Sequence, residues 1–283
     1  MSLSAATLSH ARDPVSRARG KAIGRSIPYA SGARRSLDVH APANSRNAPV
    51  VLFFYGGSWQ HGARETYRFV ASALAAKGFV AIVADYRVYP EVGYPGFLED
   101  AALATRWTRD HAAEFGGDPR RLFVMGHSAG AYIAAMLALD ARWLASVDLH
   151  PNETFAGLIG IAGPYDFLPL RDKTLETIFG GANRPETQPI VHVSAGAPPT
   201  FLATGTRDRI VDPANSDRLA PRLEAVGSPA TVRRYRGHGH MTIIGALAFP
   251  LRLFMPLVGD IADFIEGRAA GSQLRIAPAE TAP

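Results

Sequence analysis

The residues best placed to do chemistry are Gly126-His127-Ser128-Ala129-Gly130. An apolar run, Leu122-Phe123-Val124-Met125, precedes them, and Ala131 to Leu139 reads as a helix behind them. Strand, tight turn of small residues, and helix is the setting in which a serine stands on a sharp bend with its hydroxyl exposed. Side chains at 126 or 130 would collide with the neighbouring strand or helix, so glycine is needed there. The start of the helix offers free backbone N–H groups to a developing negative charge. A serine hydroxyl becomes nucleophilic only when a base takes its proton, and a histidine base needs a carboxylate to fix its tautomer. Two downstream loops, each just past an apolar strand, supply these groups. Asp208 is the favoured acid, in Gly205-Thr206-Arg207-Asp208. Asp212 is its rival, but it precedes Pro213 and reads as a helix cap, and Asp217 belongs inside the helix that follows. His240 is the favoured base, in Gly237-His238-Gly239-His240, with His238 as competitor. The His-x-His pair admits a metal reading, which lacks a third ligand. Donors for an oxyanion are expected from the amides of Gly57 and Ser58, in Tyr55-Gly56-Gly57-Ser58-Trp59, and from the amide of Ala129.

Elements that could position these residues follow from periodicity. Ser36 to His40 alternates like an edge strand. Val50–Tyr55, Phe79–Ala84, Leu122–Met125, Phe155–Ala162, Thr200–Thr204 and Ala230–Tyr235 are apolar or β-branched runs of strand length. Helices are predicted over Arg64–Lys77, Leu98–Phe115, Ala131–Leu139, Pro213–Val226 and roughly Val258–Glu266. Apolar strands alternating with helices imply an α/β fold, with a mostly parallel central sheet covered on both faces. Asp166 to Pro198 is a long excursion without strong periodicity and reads as a small lid. The run Ile243 to Leu257, interrupted by Pro250, Arg252 and Pro256, reads as buried or lid-forming, and no segment is long enough to span a membrane. His40, like most of the remaining histidines, is expected at the surface.

Composition bounds the function. The 283 residues are 47% hydrophobic and 19% charged, ample for one large domain. There is no cysteine, which excludes disulfides, thiol catalysis and Cys-based zinc sites. Net charge is +5, but the arginines are scattered, and nucleic-acid binding is not expected. The start of the chain has no apolar stretch of the kind a secretory signal needs, so a cytoplasmic location is expected. The expected organisation is a basic N-terminal arm over 1–27, a catalytic domain over 28–267 with its lid within 166–198, and a tail over 268–283.

Read together, Gly56 to Trp59, Asp85-Tyr86-Arg87, Phe115 to Pro119, the Ser128 turn and the Asp208 and His240 loops resemble α/β-hydrolases of the esterase/lipase type. The branch includes hormone-sensitive-lipase-like esterases, kynurenine formamidases and prenylcysteine methylesterases, and the likeness runs from about Leu37 to about Ile265. The resemblance implies an α/β-hydrolase fold and Ser128, Asp208 and His240 as nucleophile, acid and base. It assigns the oxyanion hole to Gly57, Ser58 and Ala129. It implies hydrolysis of a small-molecule carboxylic ester of short to medium acyl length, with no metal and no cofactor, and it is compatible with a homodimer. An arylformamidase-like amide hydrolase and a non-catalytic binding protein on the same fold are the alternatives. The pocket is expected to be apolar, with Trp59, His127, Phe167 and Met241 among its lining residues, joined by Phe97, Leu168 and Ile244. One departure stands out: the family usually has His where this chain has Tyr55, which puts the anchoring of the Gly56–Trp59 loop in question.

Overall fold

The computed structural model describes residues 21–273. Its centre is an eight-stranded sheet built from β1 (Lys21–Pro28), β2 (Ser36–Ala41), β3 (Ala48–Phe54), β4 (Val80–Ala84), β5 (Gly117–His127), β6 (Phe155–Ile161), β7 (Thr200–Gly205) and β8 (Ala230–Tyr235). The order across the sheet is β1-β2-β4-β3-β5-β6-β7-β8. β1 and β2 pair antiparallel, β2 runs antiparallel to β4, and every later pairing is parallel. Val50–Phe54, Val80–Ala84 and Leu122–His127 are buried throughout, as strands covered on both faces must be.

Nine α-helices follow among the described residues: α1 (Arg68–Ala76), α2 (Gly96–His111), α3 (Ala129–Leu139), α4 (Ala141–Ala145), α5 (Pro151–Thr154), α6 (Lys173–Phe179), α7 (Ala214–Ala225), α8 (His240–Gly245) and α9 (Leu257–Gln273). α3 is buried along its whole length and packs on β3, β5 and β6, with α2 beside it. α9 packs on β5, β6 and β7 from the other face, with α1 beside it. The two helical layers leave the carboxyl ends of the parallel strands open along one edge, which is where sites form in open α/β sheets.

Several expectations need correction. Residues 21–27, assigned to the arm, form the edge strand β1; residues 1–20, the rest of that arm, lie outside the described residues. α9 continues to Gln273, through the first residues assigned to the tail, and residues 274–283 are not described. The predicted helix from Arg64 begins as a 3-10 turn, Arg64–Tyr67, before α1. β5 starts at Gly117, five residues before its apolar run. His40 is buried within β2 rather than exposed. The segment 166–198 contains α6 and two 3-10 turns, Pro185–Thr187 and Pro189–His192. It is held to the core: Asn215 Oδ1 accepts from the amides of Tyr165 and Asp166, and the Tyr132 hydroxyl donates to the Thr187 carbonyl at 2.7 Å. Its own Ile178 and Phe179, at the end of α6, are buried.

Candidate active site

Ser128 sits at the end of β5, at the junction with α3, with φ 55° and ψ −123°. A positive φ in a residue with a Cβ is uncommon and costs on the order of 1–3 kcal/mol. The glycines on either side make the bend possible. A Cβ at Gly126 would overlap the Gly130 carbonyl, and one at Gly130 would overlap the Phe54 carbonyl. The residue is buried, with 8% of its surface exposed.

Two loops reach this serine from strands further along the sheet. Asp208 follows β7 and His240 opens α8 after β8. Asp208 Oδ2 lies 2.8 Å from His240 Nδ1, and His240 Nε2 lies 2.8 Å from Ser128 Oγ. A carboxylate only accepts, so Nδ1–H donates to Asp208, and Nε2 is left to accept from the Ser128 hydroxyl. The other carboxylate oxygen of Asp208 accepts from the amides of Ile210 (2.9 Å) and Val211 (3.0 Å), which fixes its orientation. Asp212, the rival, accepts from the Ala214 amide at the start of α7 and is exposed. His238 makes no contact with the serine in this arrangement, and its Nδ1 is buried without a partner. Among the described residues, no group of three or more His, Asp or Glu side chains is arranged to hold a metal ion.

Ser58, Trp59, Ser128 and Ala129 help to line a cavity of about 510 Å3. As the first residue of α3, Ala129 has an amide with no intrahelical acceptor. The Gly57 carbonyl accepts from the amides of Gln60 and His61 at 2.9 Å, closing the turn that presents Ser58. Gly57 itself has φ +141°, and a Cβ there would overlap the His61 carbonyl. The loop is anchored through Tyr55. Its hydroxyl donates to Asp85 Oδ1 at 2.9 Å and accepts from Arg34 Nη2 at 3.1 Å. The same Arg34 nitrogen donates to the Gly62 carbonyl at 2.7 Å, and the Tyr86 hydroxyl donates to the Tyr55 carbonyl at 2.7 Å. Arg64 closes the set by pairing with Asp85. Burial above all, with Asp85 beside it, pushes the Tyr55 phenol up, so it remains a donor. Sequence reasoning missed Arg34 and Asp85 as anchors. The tyrosine at a position usually held by histidine was the available signal, since its hydroxyl demanded a buried partner.

The pocket expectations fare unevenly. Trp59, Phe167 and Leu168 line the cavity. Met241 does not: it faces solvent at 59% exposure, because it follows His240 on the outer side of α8. His127 does not line it either, being buried behind the serine. Its Nε2–H donates to the His240 carbonyl at 3.1 Å, and its ring lies 4.9 Å from the His240 ring. Burial first, then the neighbouring His240 charge, holds its pKa down to about 3. Phe97 and Ile244 are core residues outside the cavity wall. The cavity is also less apolar than expected. Its lining also carries Asp166, Arg171, Asp172, Asp212, Asn215 and Arg218. Arg218 donates to both Asp166 Oδ2 (2.6 Å) and the Asp166 carbonyl (2.7 Å). These residues come from the 166–198 segment and the start of α7, where exposed charge and lining charge look the same in sequence.

Comparison with known proteins agrees with this architecture. The BD-FAE family profile matches residues 37–223, more than half of the chain. Among curated proteins, the chain is 28% identical over 253 residues to a probable isoprenylcysteine α-carbonyl methylesterase, ICMEL1, of Arabidopsis thaliana; the match covers 81% of this chain and 53% of that protein. It is 30% identical over 237 residues to esterase LipC of Mycobacterium tuberculosis, covering 76% of this chain and 59% of that protein. The chain thus spans little more than half the length of these relatives. Among solved structures, the apo form of Thermogutta terrifontis esterase 2 superposes with a TM-score of 0.71 at 25% identity, covering 87% of this chain and 94% of that one. The sheet order, the Ser128 turn and the profile match lead to one assignment: the chain has the α/β-hydrolase fold and belongs to the BD-FAE family.

Proposed function

We propose that this chain is a serine hydrolase of small-molecule carboxylic esters, with short to medium acyl groups. The observation that carries the reading is the pair of 2.8 Å contacts linking Asp208 to His240 and His240 to Ser128. In the first step the Ser128 oxygen attacks the ester carbonyl carbon while His240 Nε2 takes the hydroxyl proton. The carbonyl oxygen becomes an oxyanion, received by the amides of Ala129, Ser58 and Gly57. Asp208 stabilises the imidazolium. The C–O bond to the alcohol then breaks, and His240 returns its proton to the departing alkoxide. Water repeats the sequence on the acyl-enzyme, giving the carboxylic acid and restoring the serine. The cavity gives the substrate its place: Trp59 and Phe167 offer apolar surface, and the charged residues that share the lining favour a substrate that also carries a polar group. The related proteins named methylesterase and esterase support the ester class.

The decisive experiment uses p-nitrophenyl acetate and butyrate. Ser128→Ala is expected to lower kcat by about four orders of magnitude or more. Retained turnover would move the nucleophile elsewhere. Assay of an aryl formamide beside the aryl ester separates esterase from amide hydrolase. Failure of a fluorophosphonate probe to label Ser128 would instead favour a binding protein on the same fold.

A further inference from the structure

A second cavity, of about 520 Å3, shares one lining residue, Asp166, with the cavity of Ser128. It forms where the 166–198 segment meets the last turn of α7. Ile190, Val191 and Val193 line it from the segment, and Ala225 and Val226 line it from the end of the helix. All five are aliphatic. Val191 is 53% exposed, a large apolar side chain left open to whatever enters. The wall is fixed by backbone bonds: the Ile190 amide donates to the Tyr165 carbonyl at 3.1 Å, and the Val191 amide to the Gln188 carbonyl at 3.2 Å.

Two charged residues share this lining, Asp166 and Arg222. Arg218 and Arg222 stand four residues apart on α7 and so share a face of it. Arg218 takes the acid: its Nε donates to Asp166 Oδ2 at 2.6 Å and its Nη2 to the Asp166 carbonyl at 2.7 Å. Arg222 is exposed, and its side chain makes no hydrogen bond or ion pair with any described residue. Its place in the last turn of α7 suits a cation, but leaves the guanidinium donors unspent. Glu224 does not line the cavity, and residues two apart on a helix do not face each other. The cavity thus combines aliphatic surface, an acid already neutralised and one free guanidinium. A cation would be repelled, and a neutral chain would leave the donors unused. A phosphate monoester brings about two negative charges against one guanidinium. A carboxylate brings one, and its paired oxygens match the guanidinium fork.

We propose that this second cavity binds an aliphatic carboxylate, with the chain against Ile190, Val193 and Val226 and the carboxylate on Arg222. Because Asp166 lines both cavities, the ligand stands beside the wall of the Ser128 cavity. On the hydrolase reading the acid product belongs to this chemical class; the binding itself does not rest on that reading.

The test is titration of the full chain with sodium hexanoate, followed through the backbone amide shifts in its magnetic resonance spectrum. The amides of Val191, Val193 and Val226 are expected to move along one saturable curve. Hexan-1-ol, which has the chain without the charge, should bind about five-fold more weakly or worse, and so should hexanoate to the Arg222→Gln variant. Arg222 is exposed and does not line the Ser128 cavity, so the rest of the variant's spectrum should match wild type, which reports that it is folded. Equal affinity of hexan-1-ol, or of the variant for hexanoate, overturns the proposal, as does the absence of a saturable shift. Shifts confined to Ser58, Ala129 and Leu168 also overturn it, because the ligand then sits in the Ser128 cavity. Binding is read without turnover, so loss of the hydrolase reading, tested separately by Ser128→Ala kinetics, would leave this result standing.

Discussion

Ser128, His240 and Asp208 are separated along the chain by 80 and 32 residues, yet the hydrogen-bond directions leave each one role. Because Asp208 can only accept, its replacement by Asn offers His240 an amide donor as readily as an acceptor and permits the wrong tautomer. Asp208→Asn is therefore expected to lower kcat by about three to four orders of magnitude with little change in fold, checked by esterase kinetics beside circular dichroism. His127 was expected in the pocket lining, and its place behind the serine was not legible. It is buried, neutral and bonded to the His240 carbonyl, so it supports the loop that carries the base. Its neutrality gives a pH signature. The folded chain leaves His127 unprotonated down to about pH 3, whereas the unfolded chain takes up that proton near 6.5. The stabilising effect is thus complete above pH 6.5 and is lost as pH falls toward 3, at up to about 1.4 kcal/mol per pH unit. His127→Gln keeps an N–H donor and removes the titration. Urea midpoints measured from pH 7 to pH 4 should fall less steeply for this variant than for wild type; His40, depressed in the same direction by burial, leaves a residual slope. Equal slopes would show that the proton is taken up elsewhere.

At the scale of elements, the strands were easiest to read, because a strand buried on both faces is an unbroken apolar run whatever its neighbours. β1 was missed because an edge strand with Gly24 and two irregularities in its pairing leaves no alternation to see. α8 was missed because it is six residues long and opens directly from the His240 loop, so no helical period develops. The bend between β5 and α3 was legible from the glycines together with the apolar run before them and the helical run behind. Gly130→Ala should destabilise the protein by more than about 3 kcal/mol, since the new methyl meets backbone rather than a side chain that can turn away; thermal melting or loss of soluble protein reports this. The loop after β3 depends on Tyr55. Tyr55→Phe removes a buried hydrogen bond to a carboxylate and should cost about 1.5–3 kcal/mol. On the proposed reading it should also lower kcat more than it raises KM, because the Gly57 and Ser58 amides of this loop act on the oxyanion, while Phe167 and Leu168 from another segment also line the cavity. A change in KM alone would mean the loop serves binding.

For the molecule as a whole, the edge strand shows how distant parts share stability. The Ser26 amide donates to Asp38 Oδ1 at 2.9 Å, and Arg64 bonds to both Ser26 and Asp38 while pairing with Asp85. The first strand is thus tied to the network that holds the Tyr55 loop. Deleting residues 1–28 bares the edge of β2 and breaks these bonds. The midpoint of thermal unfolding should drop by roughly 5 °C or more relative to the full chain, with increased aggregation. The amino-acid sequence by itself determined the fold class, the bend at Ser128 and a short list of candidate acids and bases, because periodicity, glycine sterics and the supply of usable side chains are local properties. Only the tertiary structure decided which loops meet. The order β3-β5-β6-β7-β8 sets the ends of separate strands along one edge, and so selects His240 over His238 and Asp208 over Asp212 as the groups in contact. It also decided that charged residues share the cavity lining, that Met241 points outward and that the turn 249–254, within the apolar run 243–257, is exposed. Burial depends on what packs from elsewhere in the chain, and an apolar run reads the same whether the fold covers it or leaves it to the solvent.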